Sequence, residues 1–254
     1  MKLHVCVALL LLCASATAAD DRLWSLYATG KYADAQSAGE AQGDATGYAV
    51  AARAGLASAL AREHPCLECF QRAEGDARRA IALDPRSANA HVYLAAALGY
   101  EGRIEGMMTA KLRAYPEQAK SHLDAALAED PENAWALAAL GAWNIEIVRG
   151  GGVTLASWMY GANVESGLDH FERAFKAAPD NPVIRYQYAL TLGGYDPAGY
   201  REKISDSLTR AIALKPATAF DSFAQSRAKE LLAALTANDT AAFARLVHRD
   251  QNYP

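Results

Sequence analysis

Cysteine is the residue type whose spacing here could do chemistry. Beyond Cys6 and Cys13 near the start, the chain carries Cys66 and Cys69 in His64-Pro65-Cys66-Leu67-Glu68-Cys69-Phe70. In an oxidising compartment such a pair most simply forms a structural disulfide. Buried or free thiols are the alternative. A redox-active pair calls for a βαβ setting, and the surrounding sequence has no strand pattern. Haem attachment needs a His after the second Cys, where Phe70 stands. Zinc would need a fourth ligand beyond His64, Cys66 and Cys69.

The other polar residues form no catalytic signature. There is no Gly-x-Ser-x-Gly, no His-Glu-x-x-His and no dinucleotide glycine pattern. Gly150-Gly151-Gly152 lacks the Lys-Ser/Thr of a phosphate loop and reads as a hinge or helix stop. His91 sits where a packing residue is expected. His122, His170 and His248 read as solvated helix faces. The expectation is a protein that is not an enzyme, with no cofactor and no metal.

The elements that must hold these residues are helices. The chain has 254 residues, 57 of them alanine, the best helix former. Valine and isoleucine, which strands prefer, are sparse. Hydrophobic residues reach 52%, so the chain is not disordered. The formal charge of −4 and the lack of a basic run argue against a nucleic-acid binder.

One spacing recurs: Ala, four residues, then Pro. It occurs at Ala80…Pro85, Ala126…Pro131, Ala174…Pro179 and Ala211…Pro216. Three residues before each Ala lies Ala77, Leu123, Phe171 or Leu208. Seven before it lies Ala73, Ala119, Gly167 or Ile204. Offsets of three, four and seven mark one helical face, and the Pro stops each helix. A capping residue then opens the next helix: Ser87, Asn133 or Asn181. Residues 218–236 and 240–249 read as closing helices, with Thr240 as an N-cap.

This register resembles the tetratricopeptide repeat family over roughly residues 50–216, with a degenerate unit at Tyr27–Ala35. The resemblance implies an all-α, right-handed superhelix (solenoid) of antiparallel helix pairs. It also implies a protein-interaction role, with a protein or peptide partner held in a concave groove lined by the first helices. By register Asn89, Val92, Trp135 and Tyr186 point into that groove, as do Ala96, Ala138 and Leu190.

The Pro-to-Pro steps are 46, 48 and 37 residues, against about 34 in a standard unit. The excess falls between the first and second helix, giving inserts near 99–115 and 149–164. Insertions at equivalent positions project on one edge. Each insert sets glycines beside Met107 and Met108, or beside Trp158, Met159 and Tyr160. These side chains either bind a partner or pack over helix ends as core.

Residues 1–19 have the layout of a secretory signal: Lys2, an apolar run from Val5 to Leu12, then small residues to Ala19. Cys13 follows Leu12 where a lipoprotein signal usually has a small residue, so a soluble exported protein is expected. In a Gram-negative source it would be periplasmic. No later segment reads as transmembrane. Residues 20–254 then form the repeat domain, closed by a capping segment at 218–254. The sequence expectation is an exported scaffold or adaptor of the cell envelope. A small-molecule or lipid-binding protein of a transport system, and a redox protein using Cys66 and Cys69, are the alternatives.

Overall fold

The computed structural model describes residues 18–251 and 253, and among these there is no strand. The signal reading for residues 1–19, Cys13 included, lies almost wholly outside them. Helix α1 covers 18–28. It is followed by α2 (Tyr32–Gln42), α3 (Ala45–Leu60), α4 (Leu67–Leu83), α5 (Ala88–Glu105) and the short α6 (Met107–Leu112). Then come α7 (Tyr115–Glu129), α8 (Ala134–Tyr160), α9 (Val164–Ala177), α10 (Pro182–Tyr195), α11 (Arg201–Ala213), α12 (Ala219–Thr236) and α13 (Thr240–Asp250).

The helices pair as α3 with α4, α5 with α7, α8 with α9, α10 with α11 and α12 with α13. The first helix of each pair also packs on the first helix of the next. The recurring spacing explains why. Ala80, Ala126, Ala174 and Ala211 are fully buried, and the residues three and seven positions before them are buried as well. Small side chains there let helix axes approach. The approach is close where Gly141 of α8 meets Gly167 of α9. A Cβ on Gly141 would lie 2.7 Å from the Phe171 ring and 2.9 Å from the Gly167 carbonyl.

The turns between pairs repeat as well. Asp84 and Asp130 end α4 and α7 in extended conformation, each just before a proline. Proline's ring forces that conformation on its predecessor. The next helix opens on a side-chain cap: Ser87 accepts from the Ala90 amide, Asn133 from Ala136, and Asn181 from Val183 and Ile184. The last helix departs from expectation by one residue. Asp239, not Thr240, caps α13 by accepting from Ala242. Asn238 before it takes a left-handed φ of 55°, which turns Asp239 into place.

Both inserts are helical. The first is the end of α5 plus α6, hung between Gly106 (φ 85°) and Ala114 (φ 52°). The second is the final part of α8, re-aimed at Gly152, whose φ of 73° breaks the helical run. The triple glycine is therefore a kink within one long helix.

Candidate functional site

Two surfaces compete as the working face: the row of first helices, and the edge that carries the inserts. The first-helix row is largely occupied by the chain itself. Tyr27 of α1 is buried, and the Arg53 guanidinium of α3 lies 4.2 Å from its ring centroid. Burial raises the Tyr27 hydroxyl above its usual range. Tyr32 meets Tyr27 at 5.6 Å and Phe220 of α12 at 6.4 Å, so the N-terminal turn touches the last pair. A Cβ on Gly30 in that turn would stand 3.0 Å from Ala219. One apolar cluster thus runs from Tyr27 through α8 and α10 to Phe243 and Val247 of α13.

This closure changes the standing of the groove residues. Tyr186 is 4% exposed, and burial pushes its hydroxyl well above the ordinary value. Val92 is buried with Ala126 and Ala136, between its own pair and the next. Neither presents a face to a partner in this conformation. Ala138 and Leu190 are buried with them. Trp135 is half-buried against two clusters. Asn89 alone of the four groove residues singled out is exposed, and it accepts from Asn133 at 3.3 Å. A cavity lined by Leu60, Tyr186, Phe220 and Asp250, among others, has about 20 Å³, room for about one water. No insert residue lines it.

The insert edge is the opposite case. Nine large apolar side chains are exposed among the described residues, and seven lie in the inserts. They are Met107, Met108 and Leu112 in α6, and Val153, Leu155, Trp158 and Met159 in the end of α8. Trp158 is 81% exposed and Met108 74%. The reading as core fails for Met107, Met108, Trp158 and Met159 and holds only for Tyr160, which is half-buried edge-on to Trp143 at 6.2 Å. The two inserts share a footing. Ala110 of α6 and Ala156 and Tyr160 of α8 pack on one cluster with Tyr115, Ala119 and Trp143. Trp143 Nε1 donates to the Pro116 carbonyl at 2.9 Å, tying α8 to the start of α7. Both inserts therefore root on one buried cluster.

Beneath α6 lies a carboxyl cluster that sequence reading missed. Glu101 is 1% exposed. Burial and the neighbouring Glu74 push its carboxyl up to about 7. Tyr115 Oη donates toward Glu101 at 3.2 Å and Glu105 at 3.1 Å, and Arg113 donates to Tyr115 at 3.0 Å. A second buried carboxyl, Asp76, accepts from Gln36 at 2.8 Å and is pushed by burial to about 6. Nothing local in the sequence marks either residue.

His91 packs as expected, but His122 is not on a solvated face. The two Nδ1 atoms are 2.9 Å apart, and His91 Nε2 lies 3.0 Å from the Pro85 carbonyl. With Nε2–H given to Pro85, His91 Nδ1 accepts the proton of His122. Burial lowers the His122 value. His170 Nδ1 lies 2.5 Å from the Ser166 carbonyl, and His248 packs on Tyr253. Among the described residues no cluster of three or more His, Cys, Asp or Glu is placed to hold a metal. Cys66 and Cys69 form a disulfide, with Cα atoms 5.3 Å apart, at the N-terminus of α4. Among the described residues no helix is long and apolar enough to cross a membrane.

Stacked helix pairs joined by capped turns, with two exposed apolar inserts rooted on one cluster, define an all-α protein of helical-repeat-like build. Residues 28–236 match the family described as Regulator of microtubule dynamics protein 1-3, and the chain belongs to that family. No curated protein matches it.

Proposed function

We propose that this chain is a non-enzymatic interaction adaptor that engages a partner protein through its insert-bearing edge. The observation behind it is the concentration of exposed Met, Leu and Trp side chains on α6 and the end of α8. Large exposed apolar groups set on one edge mark interaction surfaces. Aromatic residues and Met are enriched in such contacts. The family match and the paired helices point the same way, toward a helical interaction protein. The reading includes a tetratricopeptide-type, right-handed superhelix. It also includes export to the envelope, periplasmic in a Gram-negative source, and no cofactor. The first-helix row serves as internal packing here.

The test replaces Met108 and Trp158 together with Ser and isolates crosslinked partners from cells. Partner recovery is expected to fall at least about thirtyfold, the equivalent of one interface hot spot of about 2 kcal/mol. Circular dichroism and melting temperature stay unchanged. Full partner recovery by the double variant overturns the reading.

A further inference from the structure

The carboxyl cluster under α6 sits at the anchor of the docking edge. Glu101 Oε2 faces the Tyr115 hydroxyl at the start of α7, and Oε1 is buried without a hydrogen-bond partner of its own. Glu74 of α4 is the carboxylate that faces it. Its own partner is Arg78, which donates at 2.7 Å. Two carboxylates cannot share a buried space as anions, but one proton between them makes a hydrogen bond. A neutral Glu101 can donate to Glu74 while it accepts from Tyr115, a pair of bonds that would join α4, α5 and α7. The next residue, Gly102, is the place where α6 lands. A Cβ there would lie 3.3 Å from Ala110 and 3.4 Å from the Tyr115 ring. The insert itself hangs between two left-handed residues, Gly106 and Ala114, so its orientation depends on that seat.

We propose that the proton held between Glu101 and Glu74 locks α6 onto α5 and α7, and that its loss to solvent releases the first insert from the docking edge. The groups acting on Glu101 are Glu74 from α4, Glu105 from its own helix, Tyr115 from α7 and Arg113 from the turn before it. α8 turns Glu146 toward Arg103, α3 turns Arg53 toward Tyr27 and Tyr93, and α6 contributes Lys111. Arg113 is drawn to Glu105 at 3.5 Å and to Tyr115, so it does not neutralise the Glu101–Glu74 pair. The release is complete near neutral pH because burial and Glu74 hold the Glu101 carboxyl at about 7. This is regulation of the edge proposed above and rests on that reading. Its test therefore reads the seat itself, without any partner.

Hydrogen exchange of the amides at 107–113 is followed in the full chain from pH 5.5 to 8.5, corrected for intrinsic rates and referenced to α10. The lock predicts protection that falls by up to about tenfold per pH unit as pH rises from 5.5 toward 7, the linkage slope of one proton, and levels off above about 7. Glu101→Gln keeps a donor for Glu74 and an acceptor for Tyr115, so its protection stays flat across the range. Glu74→Gln removes the facing charge and leaves burial in place, so its fall ends at a lower pH and is smaller than in wild type. A flat wild type overturns the proposal, and so does a pH-dependent loss that is as large in Glu74→Gln as in wild type. If Glu101→Gln proves unprotected throughout, the Glu74→Gln profile decides. Partner capture by the insert edge can succeed or fail independently of every one of these outcomes.

Discussion

The first-helix row and the insert edge are built from similar residues and end in opposite states. Along the first-helix row, Tyr27, Tyr186 and Phe220 fill space between the ends of the array, and the chain closes on itself. Along the insert edge, Met107, Met108 and Trp158 stand in solvent on short helices anchored by one cluster. The difference is one of supply. The row has α1 and α13 at hand to cover it, whereas nothing in the described chain covers the edge. An apolar residue type alone therefore does not mark a binding face. What marks it is whether the fold provides an internal partner.

This contrast can be broken in order of effect. Truncating Tyr27 to Ala should cost the most, about 3–5 kcal/mol, because a fully buried aromatic leaves a cavity. Chemical denaturation checks it, and a cost under about 1 kcal/mol would mean that α1 is not part of the closure. Overpacking comes next. Ala174→Leu forces a larger side chain between fully buried neighbours and should cost about 1–3 kcal/mol. An unchanged melting temperature would contradict the repeat register. Opening the Cys66–Cys69 bond by Cys66→Ser and Cys69→Ser should cost about 2 kcal/mol, since the closed loop is short. Thiol titration of the native protein, with and without reductant, checks that the bond is formed.

The pH profile sharpens the picture further. Asp76 and Glu101 are held at about 6 and about 7, above ordinary carboxylates. The folded state therefore binds protons more tightly than the unfolded one. Their contribution is full below about pH 4 and is lost as pH rises to about 7. His122 has the opposite sign. Its lowered value means that its contribution is present above about 6.5 and is lost as pH falls below it. Melting temperature between pH 4 and 8.5 should thus fall toward neutral in wild type, and fall less in Glu101→Gln. The smallest stability effect belongs to the edge. Trp158→Ala should shift stability by under about 0.5 kcal/mol, as for surface substitutions generally.

Much of this fold could be read from the chain. The Ala-to-Pro spacing located α4, α7, α9 and α11, and the caps Ser87, Asn133 and Asn181 located the helices after them, because helix ends are set by local chemistry. The excess Pro-to-Pro length placed both inserts for the same reason. What the chain did not disclose was long-range. Tyr27 meets Arg53, and Tyr32 meets Phe220 across most of the sequence. No periodicity encodes a contact between the two ends of a repeat array. The groove reading of Val92 and Tyr186 fails on that point, since register fixes which way a residue faces and not what comes to cover it. Glu101 and the His91–His122 pair were invisible for a related reason. Their character comes from neighbours on other helices.

The most direct test of the account places a photo-crosslinking residue at position 158 in one variant and at position 89 in another. Position 158 is on the insert edge, and position 89 is the exposed place on the first-helix row. Adducts are collected in cells and mapped by mass spectrometry. Docking through the insert edge predicts partner adducts at 158 and none at 89. Adducts at 89 with none at 158 would contradict it and return the partner to the first-helix row.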